Sequence, residues 1–235
     1  LEDPLPQLFI NRWVASKLIV VEMREEVRWF IEHRIKRTCE SLERNGFKAV
    51  YVGTREEALK EALRMIPEGA RVGVGGSVTV REVGLVDELR RRGNEVFETW
   101  RRLTPEEDLE IRRKHLTCDV FVSSSNAVTE DGKLVNIDGT GNRVAAMIFG
   151  PPKVVIIAGV NKIVRDVEEG IRRIREVATP MNVKRMGGST PCTQRVCDLE
   201  RCEPPNRHCH VITIMEKRPT KTDISVILVG EPLGF

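Results

Sequence analysis

Aromatic side chains are scarce in this 235-residue chain, at 5% with a single tyrosine. Long apolar runs are missing as well. LIVV at residues 18–21 stops after four, against the roughly eighteen that a membrane helix needs, so no span is expected. Neither charge dominates: 38 Lys+Arg stand against 35 Asp+Glu for a net +3, and both signs interleave, as in EHRIKR. Without a basic face or aromatic stacking platforms, nucleic acid is not an expected partner. The amino terminus lacks the basic region, apolar core and cleavage site of a secretory signal, and the chain is read as cytoplasmic.

What is present is an ordinary globular composition, 40% hydrophobic, on a chain long enough to bury a sizeable core. Residues 1–12 carry two prolines and read as an irregular lead-in. Over residues 13–45 apolar side chains recur at three and four, which predicts one long helix stopped by Gly46. Thereafter short apolar runs alternate with helical segments. Strands are expected at 47–52, 71–74, 95–98, 119–123 and 154–158. Helices are expected at 55–66, from the glycine turn to 92, and at 105–116, 142–149 and 164–177. This alternation predicts an α/β fold, a Rossmann-like and mostly parallel sheet covered on both faces. Residues 134–137 are expected to pair with their neighbour across the Glu130-Asp131-Gly132 turn. Two late runs, 211–215 and 224–229, lie a short connection apart and are expected as antiparallel strands. The organisation is then a lead-in and long helix (1–45) packed on a domain (46–235) with a cysteine-rich loop at 187–210.

Two segments carry candidate binding chemistry. In VGVGGSVTVRE (72–82) a strand runs into Gly75 and Gly76 and a helix follows. Backbone N–H groups there, with the Ser77 and Thr79 hydroxyls, suit a phosphate or carboxylate, although a tight turn needs the same small residues. The order is neither G-x-G-x-x-G nor a P-loop. The second segment, SSSNAVTEDGKLVNIDGTGNRVAAMIFGP (123–151), opens at the carboxyl end of a strand, where open parallel sheets bind ligands. Asn126, Thr129, Asp138, Thr140, Asn142 and Arg143 crowd around Gly139 and Gly141, and the next strand delivers Asn161 and Lys162 to the same edge. A crevice for a small anion (carboxylate, acyl compound or phosphate) is expected. For catalysis the candidates are Asp138, Asp131 and Lys162, the carboxylates as acid/base groups and Lys162 with Arg143 as anion holders; the sequence supplies no clear catalytic pair.

The stretch GGSTPCTQRVCDLERCEPPNRHCH (187–210) gathers four of the six cysteines, Cys192, Cys197, Cys202 and Cys209. In a reducing compartment disulfides are disfavoured, and four thiolates complete a metal shell. The x4, x4, x6 spacing is neither the C-x-x-C pair of a zinc ribbon nor the tight bacterial ferredoxin run. Intervals this long suit an iron–sulfur cluster; zinc, with His208 or His210 in a mixed shell, and no metal at all are the alternatives. Cys39 and Cys118 sit in helix and strand patterns and read as core.

Taken together, GVGGSVTVREVGL, SNAVTEDGKLVNIDGTGNRVAAMIFGPPKVVIIAGVNKIV, TPC and the final ILVGEPLGF resemble the lactate-utilisation (LUD) domain family over nearly all of residues 36–235. The resemblance implies the fold of ribose-phosphate isomerases, glucosamine-phosphate deaminases and CoA transferases. It also implies the company of iron–sulfur systems that oxidise L-lactate to pyruvate. The branch with a TPC cysteine cluster is the most similar, but its second and third cysteines stand closer than Cys197 and Cys202 do, which makes Cys202 the ligand least secured by the resemblance. The expected function is a redox accessory protein of hydroxy-acid metabolism with a 4Fe–4S cluster, redox protein partners and a homo-oligomeric state. A transferase or isomerase on a CoA ester or sugar phosphate with structural zinc, and a non-catalytic assembly subunit, are the alternatives.

Overall fold

A computed structural model describes residues 24–194, 197–198, 200–203 and 207–235. The expected lead-in and the first part of the long helix, up to residue 23, lie outside the described residues. From Glu25 the helical periodicity holds: α1 (Glu25–Arg44) turns Ile35, Thr38, Ser41 and Leu42 inward. Next come β1 (Lys48–Val52), α2 (Arg55–Met65) and β2 (Arg71–Val74), then α3 (Val78–Glu82), α4 (Leu85–Arg91) and β3 (Glu95–Phe97). The single helix expected up to residue 92 is two, because Gly84 at φ +77° breaks the run. The sequence also sets where helices start: Thr54 with Glu57 caps α2, and Thr104 with Glu107 caps α5 (Pro105–Lys114), each as a reciprocal capping box.

The chain continues through β4 (Val120–Ser123), the hairpin β5 (Ala127–Thr129) and β6 (Leu134–Asp138), α6 (Asn142–Ile148) and β7 (Lys153–Gly159). A tight turn at Val160–Lys162 leads into β8 (Ile163–Val164) and α7 (Val167–Arg173). The sequence reading ends this helix at 177, three residues before Pro180. Instead the helix widens into one i→i+5 turn over Ile174–Ala178 and continues as α8 (Thr179–Arg185). Proline lacks the N–H for the i−4 carbonyl and crowds it, and a widened turn accommodates both defects without ending the helix. A short α9 (Pro191–Gln194), β9 (Val211–Met215) and β10 (Asp223–Val229) complete the described elements.

Six strands form the central sheet in the order β1-β10-β7-β4-β2-β3, all pairs parallel. A second sheet of four strands, β8-β5-β6-β9, pairs β6 antiparallel with both its neighbours and β5 parallel with β8. The expected α/β architecture and the β5–β6 hairpin are therefore present. The two late strands divide. β9 is antiparallel, as expected, whereas β10 is parallel and central, between β1 and β7. The reason lies in composition: β10 is apolar on both faces and buried from Ile224 to Val229, so it takes an inner slot covered on both sides. β9 leaves Val211, Ile212 and Ile214 exposed at a sheet edge. A short link between the two strands therefore joins two sheets and does not make a hairpin.

Apolar clusters cover both faces of the central sheet. One contains Ile35 and Leu42 of α1 with Phe121, Met147, Ile156 and Val226, and the other joins Ala58 and Ala62 of α2 and Leu85 and Leu89 of α4 to Val155 and Ile227. Among the described residues no helix is long and apolar enough to cross a membrane. This packing leaves the carboxyl ends of β2, β4 and β7, with the end of β6, facing one side.

Candidate functional site

At that edge lies a crevice of about 670 Å³. Ten of the sequence-predicted residues line it: Gly76, Ser77, Thr79, Asn126, Asp138, Gly139, Thr140, Asn142, Arg143 and Lys162. Of the others, Thr129 and Asp131 bond to each other at the β5–β6 turn, and Asp131 also pairs with Lys133 at 2.8 Å. Burial would raise the Asp131 carboxyl, but Lys133 and Thr129 hold it below its usual range. Asp131 is thus a turn residue outside the crevice. Asn161 pins the C-terminal segment, accepting from Leu233 N at 3.0 Å and donating to Gly234 O at 3.2 Å. Gly75 donates its N–H to Val122 O, and Gly141 begins α6.

Many of the polar groups that line the crevice are spent on holding it together. Ser77 Oγ accepts from Val80 N and so caps α3. Arg143 donates through Nη1 to Ser124 O (3.1 Å) and Asn136 Oδ1 (2.8 Å), and through Nη2 to Asn126 Oδ1 (2.9 Å) and Ile137 O (3.1 Å). Its Nε stands 3.5 Å from Asp138 Oδ2. With both Nη atoms engaged, Arg143 ties β4, β6 and α6 together and gives the crevice positive potential, and it has no fork left for a substrate anion. Asp138 Oδ2 also accepts from Val144 N at the start of α6.

Lys162 is different. It is 4% exposed, and its Nζ lies 2.7 Å from Thr79 Oγ1 and 2.8 Å from Ser124 Oγ. Burial, then the repulsion of Arg173 and Arg143, pushes its ammonium from the usual lysine range down to about 7, with Glu82 opposing weakly. The C-terminal segment holds this arrangement. Thr79 Oγ1 donates to Leu233 O, and Gly234 N donates to Glu82 Oε2 at 2.6 Å. Gly234 has φ +58°, and a Cβ there would collide with Thr79 Oγ1, so this position needs glycine.

The structure adds residues that the sequence reading passed over. Ser124 was hidden in a run of three serines after β4. At the crevice rim Trp100 is sandwiched between the guanidinium groups of Arg81 (4.1 Å) and Arg185 (4.4 Å). Arg81 and Arg90 also meet the buried Glu98 at 2.6 and 2.8 Å. Burial would raise the Glu98 carboxyl, but the Trp100 N–H and the two arginines hold it below its usual range. His115 lines the crevice with Nε2 at 3.1 Å from Phe97 O and Nδ1 without a protein partner; burial pushes it down to about 4, so it is neutral. A tryptophan or histidine isolated in sequence gave no signal that could have found these positions.

Cys192, Cys197, Cys202 and Cys209 line one small void together with Thr179, Thr190, Asp198 and His208. Its free space, about 10 Å³, admits one water-sized sphere. Among the described residues no group of three His, Cys, Asp or Glu side chains is arranged to hold a metal ion. Thr190 Oγ1 lies 2.9 Å from Cys192 Sγ and Thr179 Oγ1 3.5 Å from Cys209 Sγ, while Arg207 donates to the carbonyls of Cys209 (2.9 Å) and Cys202 (3.4 Å). Burial and then the neighbouring thiols push Cys197 and Cys202 up. His210 is exposed, with Nε2 on Arg207 O at 2.7 Å, and does not line the void. Cys39 and Cys118 are core thiols pushed up by burial to about 12 and about 11.

The void and the crevice share a wall. Thr179, the first residue after the widened helical turn, and His208 line both. His210 N donates to Asp138 O at 3.0 Å, which fastens the cysteine loop to the polar loop of the crevice.

Comparison with known proteins finds no match among curated proteins. A crystal structure of a DUF162 family protein from Deinococcus radiodurans is similar, with 14% identity and a TM-score of 0.49, covering 86% of this chain and 98% of that one. The family model described as LUD domain matches residues 35–229. Since that match spans all the central-sheet strands and the crevice loops, the chain belongs to the LUD domain family.

Proposed function

We propose that the chain is a redox accessory protein of hydroxy-acid metabolism that holds an iron–sulfur cluster beside a crevice for a small anion. One observation carries the reading: all four cysteines of the loop line a single void, and that void shares Thr179 and His208 with the crevice. The donor set suits the group, because four thiolates dominate the lining, with Asp198 and His208 beside them, and sets of four thiolates are the usual ligands of iron–sulfur clusters. Cys192, Cys197, Cys202 and Cys209 would hold it, Cys202 being seated with the others despite the wide gap after Cys197. When bound, such a cluster supplies one-electron transfer.

The chain's own residues do the rest. Arg101, Arg112, Arg143 and Arg185 line the crevice against one lining carboxylate, Asp138, and this positive balance favours an anionic ligand of a few atoms. Asp138, fixed by Val144 N and near Arg143, orients the loop at 139–142 and is the one carboxylate of the sequence-predicted pair that faces the ligand space. The apolar packing beneath β4 and β7 keeps bulk water from the floor.

The test is anaerobic purification. The expected result is broad absorption near ~400 nm, with iron and acid-labile sulfide in equal amounts, abolished by replacing Cys192, Cys197 or Cys209 with serine. Colourless protein with stoichiometric zinc and no sulfide overturns the reading in favour of a structural ion.

A further inference from the structure

We propose that Lys162 is a nucleophilic amine that captures the carbonyl carbon of a small oxo acid in the crevice as a Schiff base. Two hydroxyls contact its Nζ. Each carries one proton, and each proton is committed: Thr79 Oγ1 donates to Leu233 O at 3.2 Å and Ser124 Oγ donates to Ser125 O at 3.2 Å. Both oxygens are therefore acceptors toward Lys162 Nζ, at 2.7 and 2.8 Å. A neutral amine has two N–H bonds and one lone pair. The two hydroxyls satisfy its N–H bonds and leave the lone pair unspent. An ammonium would have a third N–H, and no carboxylate among the described residues bonds to it. Glu82, the one acid that attracts it, is bonded to Gly234 N.

The surroundings favour the same state. Arg143 on α6 and Arg173 on α7 both oppose a charge on Nζ, and each is held in place, Arg173 by Asn161 O (2.8 Å) and Asn126 O (2.7 Å). Arg143, which lines the crevice, lends positive potential toward the carboxylate of an oxo acid whose carbonyl meets the amine, without a free fork to bind it. Lys162, Thr79 and Ser124 all line the crevice, so the group is buried against protein and still reachable by a ligand. A purely structural lysine would be expected to carry a carboxylate partner and to stay charged. A desolvated lysine beside other cations is the arrangement that activates an amine for imine chemistry.

The step balances without an oxidant or reductant. The nitrogen lone pair forms the C–N bond as the carbonyl π pair moves to oxygen, giving a carbinolamine. The oxygen then leaves as water with both hydrogens of the original amine, and the C=N bond remains. Thr79 and Ser124 are placed to pass the protons. The choice of an oxo acid rests on the reading of the crevice as a site for hydroxy-acid metabolism; the nucleophile itself rests on the geometry above.

The experiment uses the full chain with pyruvate as probe and sodium cyanoborohydride at pH 7, followed by peptide mass mapping. An ordinary lysine is unprotonated to a fraction on the order of 10⁻³ or less at this pH, so the reduced adduct at Lys162 should exceed that at any surface lysine by ~100-fold or more. Lys162→Arg should lose the adduct while keeping its circular dichroism. Wild-type mapping alone decides the matter if that variant fails to fold. Adducts spread over lysines according to exposure, or none, overturn the proposal. Thermal shifts with pyruvate and with lactate separate the two readings. Stabilisation by both without an adduct overturns the nucleophile and keeps the crevice reading, whereas neither stabilisation nor adduct overturns both.

Discussion

Burying Lys162 has a consequence for stability that can be worked out and measured without any ligand. Its folded-state pKa, about 7, lies below the unfolded value near ~10.4. Below pH ~7 the amine is charged in both states and the full cost of burying that charge is present. Between ~7 and ~10 the native state holds it neutral while the unfolded chain still binds the proton, so the cost is relieved as pH rises. The slope is about 1.4 kcal/mol per pH unit, or about 4 kcal/mol across that window. The charged groups facing Lys162 are Arg143 from α6, Arg173 from α7 and Glu82 from α3, and Arg143 and Arg173 stay charged throughout. Lys162→Met removes the titrating group and leaves the Thr79 and Ser124 hydroxyls without their donor, a penalty that does not vary with pH. The assay is urea unfolding of both proteins at intervals from pH 6 to 10. The stability of wild type minus that of the variant should climb through the window. A difference that stays flat would refute the argument that burial holds this amine neutral.

Arg143→Ala should cost more than 3 kcal/mol in chemical denaturation, because it strips the donor from Ser124 O, Asn136, Asn126 and Ile137 O at once; Arg143→Lys should recover only part, having no fork. Gly132→Ala should lower the melting temperature sharply and loosen α1, since the turn needs φ +84° and a Cβ would stand 2.6 Å from Leu42 N. In metal-free protein at pH 8, iodoacetamide should modify Cys192 and Cys209 well before Cys39 and Cys118, which burial holds at about 12 and about 11; equal rates, followed by mass mapping, would contradict the core placement. Glu98→Gln should weaken the Arg81 and Arg90 pairs and shift Trp100 fluorescence, the readout of its arginine sandwich.

How far the sequence disclosed this molecule follows from the range of the forces involved. Strand–helix alternation reports burial of consecutive side chains, a local quantity, and it located the central sheet, the β5–β6 hairpin and most helix ends within a few residues. The pairing of β10 depends on which strands are left for it, and a short connection misdirected the reading. Pro180 is a local stop signal overruled by a helix that had buried contacts on both sides to keep. In the site, loop residues rich in Asn, Asp and Gly were rightly brought together at one edge. Their roles changed because hydrogen-bond saturation is invisible in sequence: Arg143 is filled by protein acceptors, Asp131 belongs to a turn, and Lys162 has no acid. The joining of the cysteine void to the crevice through Thr179 and His208 comes from tertiary packing across some thirty residues, which spacing does not encode.

The position of β10 has a kinetic meaning. The strand lies between β1 and β7, and in the ordering of the central sheet it is the link through which β1 joins the rest. Everything from β2 to β7 can assemble while the chain is being made, but the β1 edge has no partner strand until residues 223–229 leave the ribosome. The slot beside β7 must stay open through that interval, with apolar faces on either side. An N-terminal helix already formed on β1 would keep that waiting edge from wandering, and the last strand would then convert two loosely associated halves into one cooperative unit.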